Sequence, residues 1–256
     1  MATAIIKASV KSGRVEPKNL TVYDIAKEKY EAFRKMSVNC ADSISDACSA
    51  SEIIFLAVKP QDYEKVLADI RQLVSGQKKI FVSIAAAIST SYVCSALGED
   101  FPVVRVMPNT PLLIGCGATA ISRNSLVDDR IYTKICGLFA ASGTVVSLPE
   151  EQMNAVISVN SSSPAYVYLF AKSMIDNAVK QGIEYDVAKR LVFQTLKGST
   201  EMLLQSGYSP EELIKMVASP KGTTEASLKS FEQNHFSDVV SDAMDACTAR
   251  AEELAR

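Results

Sequence analysis

Two short polar runs are the places where this sequence could build chemistry. They are Asn160-Ser161-Ser162-Ser163-Pro164 and Ser219-Pro220-Lys221-Gly222-Thr223-Thr224. Each opens a helical pattern. A helix start presents unpaired N–H groups and the positive end of the dipole, and a carboxylate fits there. Two such ends aimed at one point would make an anion pocket without a histidine. The same serines and threonines also suit plain N-capping, which spacing alone favours, and the two roles can coexist.

Four further features end strand-like runs, where ligands of open α/β sheets bind. Met107-Pro108-Asn109-Thr110-Pro111 sets one amide, able to donate and accept, in a proline-fixed turn. An ordinary rigid loop reads the same way. Asp24 follows Leu20–Tyr23, and its carboxylate could accept hydrogen bonds from an adenosine ribose diol or cap the next helix. Ala57-Val58-Lys59-Pro60 closes Ile53–Val58, although Lys59-Pro60 is also a common strand-to-helix turn. Ser83–Ala86 closes Lys79–Ile84.

Composition excludes several classes. His235 is the only histidine, in a short connection with no catalytic neighbour. Metal sites built on histidine are therefore not expected, and the expected metal ligands are none. The six cysteines form no C-x-x-C and sit among small or apolar residues, as reduced thiols in a cytoplasmic protein would. Net charge is −2 with 27 basic and 29 acidic residues, which does not suit a polyanion binder, so no nucleic-acid partner is expected. The apolar runs are far shorter than the ~20 residues of a membrane span, and Met1–Gly13 reads as a helix rather than a leader.

The elements that must position these residues follow two patterns. Helix-like Met1–Lys11, Ala26–Met36, Asp62–Leu73 and Asp128–Ala140 alternate with strand-like Leu20–Tyr23, Ile53–Val58, Lys79–Ile84 and Pro102–Val106. Ala118–Ile121 and Thr144–Ser147 are weaker strand candidates. That alternation predicts a mainly parallel, doubly wound α/β sheet. After Pro149 the punctuation is helical. Ser163 is expected as an N-cap with Pro164 behind it, and helices are expected near 186–207, 210 onward, 224–233 and 237–254. Ser209-Pro210-Glu211-Glu212 reads as a capping box. Residues 1–150 and 151–256 are thus expected as two domains, and the apolar helix faces of the second suit a partner subunit.

Several stretches together resemble pyrroline-5-carboxylate reductases. They are Phe55–Asp62 (FLAVKPQD), Val82–Ser89 (VSIAAAIS), Val103–Pro111 (VVRVMPNTP), Ser161–Phe170 (SSSPAYVYLF) and Ser219–Thr224 (SPKGTT). The resemblance implies an N-terminal Rossmann-like NAD(P)-binding domain and a C-terminal all-helical substrate-binding and dimerisation domain. The implied reaction is reduction of 1-pyrroline-5-carboxylate to L-proline with NAD(P)H, in a cytoplasmic homodimer or higher homo-oligomer without a membrane partner. It implies that Asp24, Ala57, Val58, Lys59, Pro60, Met107, Pro108 and Asn109 line the cofactor. Ser162, Ser163, Ser219, Gly222, Thr223 and Thr224 would hold the substrate, with Thr224 near the imine nitrogen as hydrogen-bond partner or proton donor. A cyclic imine is basic enough to be substantially protonated near neutral pH, so a strong acid residue is not required.

Three departures stand out. The family pattern begins with a strand and glycine-rich turn, roughly F-I-G-A-G-N-M, and Met1 matches its last residue. The sheet is therefore expected to lack a strand between Leu20–Tyr23 and Ile53–Val58, either because translation starts upstream or because the chain is a truncated product. The family's S-G-S-G-P reads Asn160-Ser161-Ser162-Ser163-Pro164 here, and serine is costly if φ must be positive. Ile44 stands where an adenosine-side asparagine is expected. Asp24 leans toward NAD(H), while Lys27 and Lys29 leave NADP(H) open. The alternative is a non-catalytic paralogue that binds a ligand or partner, its dinucleotide cradle lost. A third reading is a related reductase of another imine or of a β-hydroxyacid. The β-hydroxyacid branch needs a lysine base, for which Lys172 is placed, but MPNTP and SPKGTT favour the imine reductase.

Overall fold

The computed structural model describes all residues 1–256. Helix α1 (Ala2–Lys11) buries Ala4, Ile5 and Ser9. Strands β1 (Thr21–Val22) and β2 (Asn39–Cys40) form a small parallel pair of their own. The expected helix over 26–36 is shorter: a 3-10 turn at Lys27–Lys29 runs into α2 (Tyr30–Arg34). Helix α3 (Ile44–Ser49) opens on a reciprocal box between Ser43 and Asp46.

A five-stranded sheet follows in the spatial order β3 (Ile53–Leu56), β4 (Ile80–Ser83), β5 (Val103–Met107), β6 (Gly117–Arg123), β7 (Gly143–Ser147). Helices α4 (Tyr63–Val74), α5 (Thr90–Leu97) and α6 (Asp129–Ala140) connect them. Pairing is parallel except between β5 and β6, which run antiparallel with Val106 opposite Ile121. The reversal follows from the short connection across residues 108–116, too short for a parallel crossover. β3 pairs only with β4, and neither β1 nor β2 hydrogen-bonds to it. Ile53, Ile54 and Phe55 are accordingly half-buried.

Strand alternation sends neighbours to opposite faces. Phe81 joins Leu56, Tyr63, Leu67, Ile70, Val93, Leu97 and Val103 on the α4–α5 side. Val82 joins Ala4, Ile5, Val104, Val106, Ile121, Ile135 and Phe139 on the α1–α6 side. All five residues of β5 are buried, because it lies mid-sheet and is covered on both faces. At Gly143, φ is +141° and a Cβ would lie 2.0 Å from the Gly117 carbonyl, so the β6–β7 start is open only to glycine.

Five helices follow: α7 (Ser163–Lys180), α8 (Tyr185–Gln205), α9 (Pro210–Val217), α10 (Thr223–Gln233) and α11 (Phe236–Glu253). By packing, Met1–Ser162 and Cys247–Arg256 form one compact unit and Ser163–Ala246 a second. In the second, α7 and α8 pack through Ala171, Ile175, Ala188 and Val192. Its helices also carry exposed Val167, Leu169, Leu191, Phe193, Leu204, Met216 and Val217. No helix is long and apolar enough to cross a membrane.

Two cap expectations met different outcomes. Ser209 and Glu212 do form the capping box of α9. Ser163, expected as an N-cap, is instead already the first residue of α7. The chain reaches it from a π-helical turn, Ile157–Ser161, in which the Ser162 N–H bonds to Ile157 O at 2.9 Å. The wide turn supplies the entry that a capping residue otherwise provides.

Candidate functional site

In the first compact unit the candidates fall into an exposed group and a buried group. Ala57, Val58 and Lys59 are exposed beyond β3, and Pro60 starts a 3-10 turn leading into α4. Tyr63 of α4 braces this edge: its hydroxyl donates to Leu56 O at 2.8 Å and lies 2.9 Å from Ser83 Oγ. Asp24, beyond β1, is committed locally. Its carboxylate accepts the Ala26 N–H at 2.9 Å and pairs with Lys29 at 2.8 Å. Partial burial pushes this carboxyl up, but Lys29 and the Ala26 N–H outweigh that and hold it below the usual aspartate range. Lys27 is also engaged, through the Tyr30 hydroxyl and the Ala41 and Asp42 carbonyls.

Met107, Pro108 and Asn109 are buried. The Asn109 amide is used within the protein. Its oxygen accepts the Ala118 N–H at 3.0 Å and its nitrogen donates to Asn160 O at 3.1 Å. Asn160 answers with its own amide, donating to Met107 O at 2.7 Å and Ala118 O at 2.9 Å. The two asparagines cross-brace the end of β5, the start of β6 and the turn before α7. The side-chain amide of Asn109 therefore fixes the wall of the sheet edge rather than standing open to a ligand.

Arg105 is a further residue of this region, and its one signal in the sequence is an arginine inside the apolar run Pro102–Val106. Only 3% exposed, it donates to Asn154 Oδ1 at 2.6 Å and lies 3.7 Å from Glu150. Burial pushes its guanidinium down from its usual value, and Glu150 opposes that shift. Glu150 also accepts from the Thr90 N–H and hydroxyl. One buried cation thus ties β5, the start of α5 and the segment after β7 together. Ser162 is half-buried, with its Oγ 3.3 Å from Cys247 Sγ.

In the second unit, the Ser219–Thr224 loop is wound tightly. Gly222 N–H bonds to Ser219 O at 3.0 Å, and a Cβ on Gly222 would meet Ser219 Oγ at 2.5 Å. Lys221 sits at φ +57°, and its N–H donates to the Glu225 carboxylate. Gly222 is the N-cap of α10 and brings no side-chain cap, so the first-turn amides are left to other acceptors. Ser219 and Thr223 are exposed, while Gly222 and Thr224 are half-buried. Lys172 is exposed and paired with Asp176, which raises the pKa of its ammonium, so it is poorly suited to act as a base. His235 is exposed and lies 3.3 Å from Asp238.

The residues present fit a dinucleotide at the sheet edge. Ala57–Lys59 are exposed beyond β3, and the first amides of helix α1 have no side-chain cap and are left to other acceptors. All six cysteines are free thiols, and no cluster of three or more His, Cys, Asp or Glu could hold a metal.

Comparison with known proteins places this geometry. The family described as pyrroline-5-carboxylate reductase dimerisation matches residues 150–254. The family described as NADP oxidoreductase coenzyme F420-dependent matches residues 1–87. Pyrroline-5-carboxylate reductase of Escherichia coli is 34% identical over 257 residues, covering 100% of this chain and 95% of that protein. The enzyme of that name from Pseudomonas aeruginosa is 36% identical, covering 90% and 84%. A structure of the Coxiella burnetii reductase superimposes with a TM-score of 0.92 at 28% identity, covering 100% and 95%. The Plasmodium falciparum pyrroline carboxylate reductase with NADP bound gives 0.90 at 29% identity, covering 99% and 94%. By full-length identity to these reductases, the chain belongs to the pyrroline-5-carboxylate reductase family.

Proposed function

We infer that this chain is an oxidoreductase that reduces 1-pyrroline-5-carboxylate to L-proline, the last step of proline biosynthesis, with NAD(P)H. The observation that carries this is the match over the whole chain to reductases of that name. No finding favours a non-catalytic paralogue. The nicotinamide, when bound, supplies the hydride for the imine carbon.

The protein's part is to orient and to stabilise charge. Ser219, Gly222 and Thr223 offer hydroxyls and helix-start amides to the substrate carboxylate. The uncapped start of α10 suits that anion. Ser162 and Ser163 are the further substrate-binding residues, at the turn into α7. The Thr224 hydroxyl is the hydrogen-bond partner or proton donor for the imine nitrogen. Asp24, Ala57, Val58, Lys59 and Pro60 line the dinucleotide, with Met107, Pro108 and Asn109 shaping the edge beneath. Functionally, residues 1–150 serve the cofactor, and residues 151–256 serve the substrate and dimerisation. The exposed apolar residues on α7–α9 support a homodimer or a larger ring. Free cysteines and a balanced charge support a cytoplasmic protein that works without nucleic acid or membrane.

The test is oxidation of NADPH and of NADH by the purified chain with 1-pyrroline-5-carboxylate. Turnover with at least one nucleotide is expected. No turnover with either would overturn the assignment.

A further inference from the structure

The last ten residues, Cys247–Arg256, return to the unit that holds the sheet. At one end Cys247 Sγ lies 3.3 Å from Ser162 Oγ, and Thr248 Oγ1 lies 3.4 Å from Ser158 Oγ. In the middle Ala251 packs with Met107, Ala120, Met153 and Ile157. At the other end the backbone of Arg256 grips the loop after β4. Its N–H donates to Ala87 O at 2.9 Å, and its carbonyl accepts the Ser89 N–H at 2.8 Å. These two bonds bracket buried Ile88 as a parallel strand would. The Arg256 guanidinium also lies 3.6 Å from Glu64 of α4.

The gripped loop is strained. Ala87 has φ +62°, a conformation a residue with a Cβ adopts only when its surroundings enforce it. Ser89, two residues on, caps α5 with its hydroxyl on the Tyr92 N–H. The loop lies beyond the carboxyl end of β4, beside the exposed end of β3.

We propose that Cys247–Arg256 is a strap that positions two parts of the site at once: the serine turn at Ser162 and the Ala87–Ser89 loop on the dinucleotide side. Arg256 is a positioning residue, acting through its backbone on Ala87. The inference rests on the reductase reading, because that reading makes the β4 edge a dinucleotide wall. Its particular content is that dinucleotide affinity depends on the chain's final residues, far from any cofactor contact in sequence.

The experiment is titration of NADPH into the full chain, into a chain lacking Ala255 and Arg256, and into the same shortened chain carrying Ala87→Gly. Glycine holds a positive φ without the Cβ penalty, so it replaces the enforcement that the strap provides. Shortening is expected to weaken NADPH binding about ten-fold, and Ala87→Gly to recover part of that loss. Arg256→Pro in the full-length chain removes the N–H together with the exposed guanidinium but keeps the carbonyl that accepts from Ser89. Arg256→Ala, which keeps both backbone groups, is the control for the side chain. The proline is expected to give a smaller loss than shortening and the alanine none, so the proposal stays testable if the shortened chain fails to fold. Unchanged affinity on shortening, or in Arg256→Pro where that variant must stand in, would overturn the strap. So would a loss that Ala87→Gly leaves untouched. Absence of NADPH and NADH binding by the full chain would overturn the reductase reading itself, and the strap with it.

Discussion

The turn before α7 carries serines where the family pattern has glycine, the turn before α10 carries Lys221 beside Gly222, and the two backbones behave in opposite ways. Ser161 and Ser163 have negative φ: the first lies in the π-helical turn and the second opens α7. Serine there has no conformational penalty, and the expected cost of losing two glycines does not arise. Lys221 sits at φ +57°, the left-handed region that costs a residue with a Cβ about 1–2 kcal/mol. Its neighbour Gly222 needs no unusual φ, but its Cβ would lie 2.5 Å from Ser219 Oγ and 2.9 Å from Ser219 O. A glycine in a motif can therefore serve conformation, clearance, or neither, and only the local backbone tells which.

The sharpest way to break this comparison is Gly222→Ala. The methyl group would force Ser219 and the α10 start apart, and kcat/KM is expected to fall about a hundred-fold or more. Because the loop is largely exposed, the melting temperature should barely move, and wild-type kinetics would show that the close approach is irrelevant. Thr224→Ala comes next, with kcat expected to drop about ten- to a hundred-fold in a folded protein. Unchanged kinetics would remove Thr224 from the mechanism.

Asn160→Ala probes the other turn. It strips the donors from Met107 O and Ala118 O, and denaturant titration should show a loss of about 2–4 kcal/mol. A loss under 0.5 kcal/mol, well below that cost of unpaired carbonyls, would mean the cross-brace does not hold the turn.

The smallest effects compare the two turns directly. Lys221→Gly should stabilise by about 0.5–1 kcal/mol, because it relieves a positive φ. Ser161→Gly should destabilise by about 0.5–1 kcal/mol, because it loosens a helical turn. Equal signs in the two thermal shifts would erase the distinction.

Much of the architecture was legible where one physical signal dominated. The apolar runs at 53–58, 79–84 and 102–106 contain β3, β4 and β5, because short apolar runs suit strands with side chains packed on both faces, although edge strand β3 is only half-buried. The Ser209–Glu212 box became a helix start. Other elements carry quieter local signals. Ser43 and Asp46 already carried a capping box for α3, and Gly98 marked the end of α5. The direction of β6 was not legible, because Ala118–Ile121 pairs equally well either way and the short connection from β5 decided it.

The sequence by itself determined the family, the alternation of strands and helices, and which short runs carry hydroxyls, amides and glycine. Those depend on local pattern and on residue identity. Tertiary structure alone decided what those groups are free to do. Asn109, the most attractive amide in the sequence, is consumed by Ala118 and Asn160, more than 40 positions away along the chain in the second case. Asp24 is paired with Lys29, and the carbonyl of Ala87, a residue at positive φ, accepts the backbone N–H of Arg256. A buried polar group must find its partner wherever the fold brings one, and spacing along a sequence does not record which partner that is.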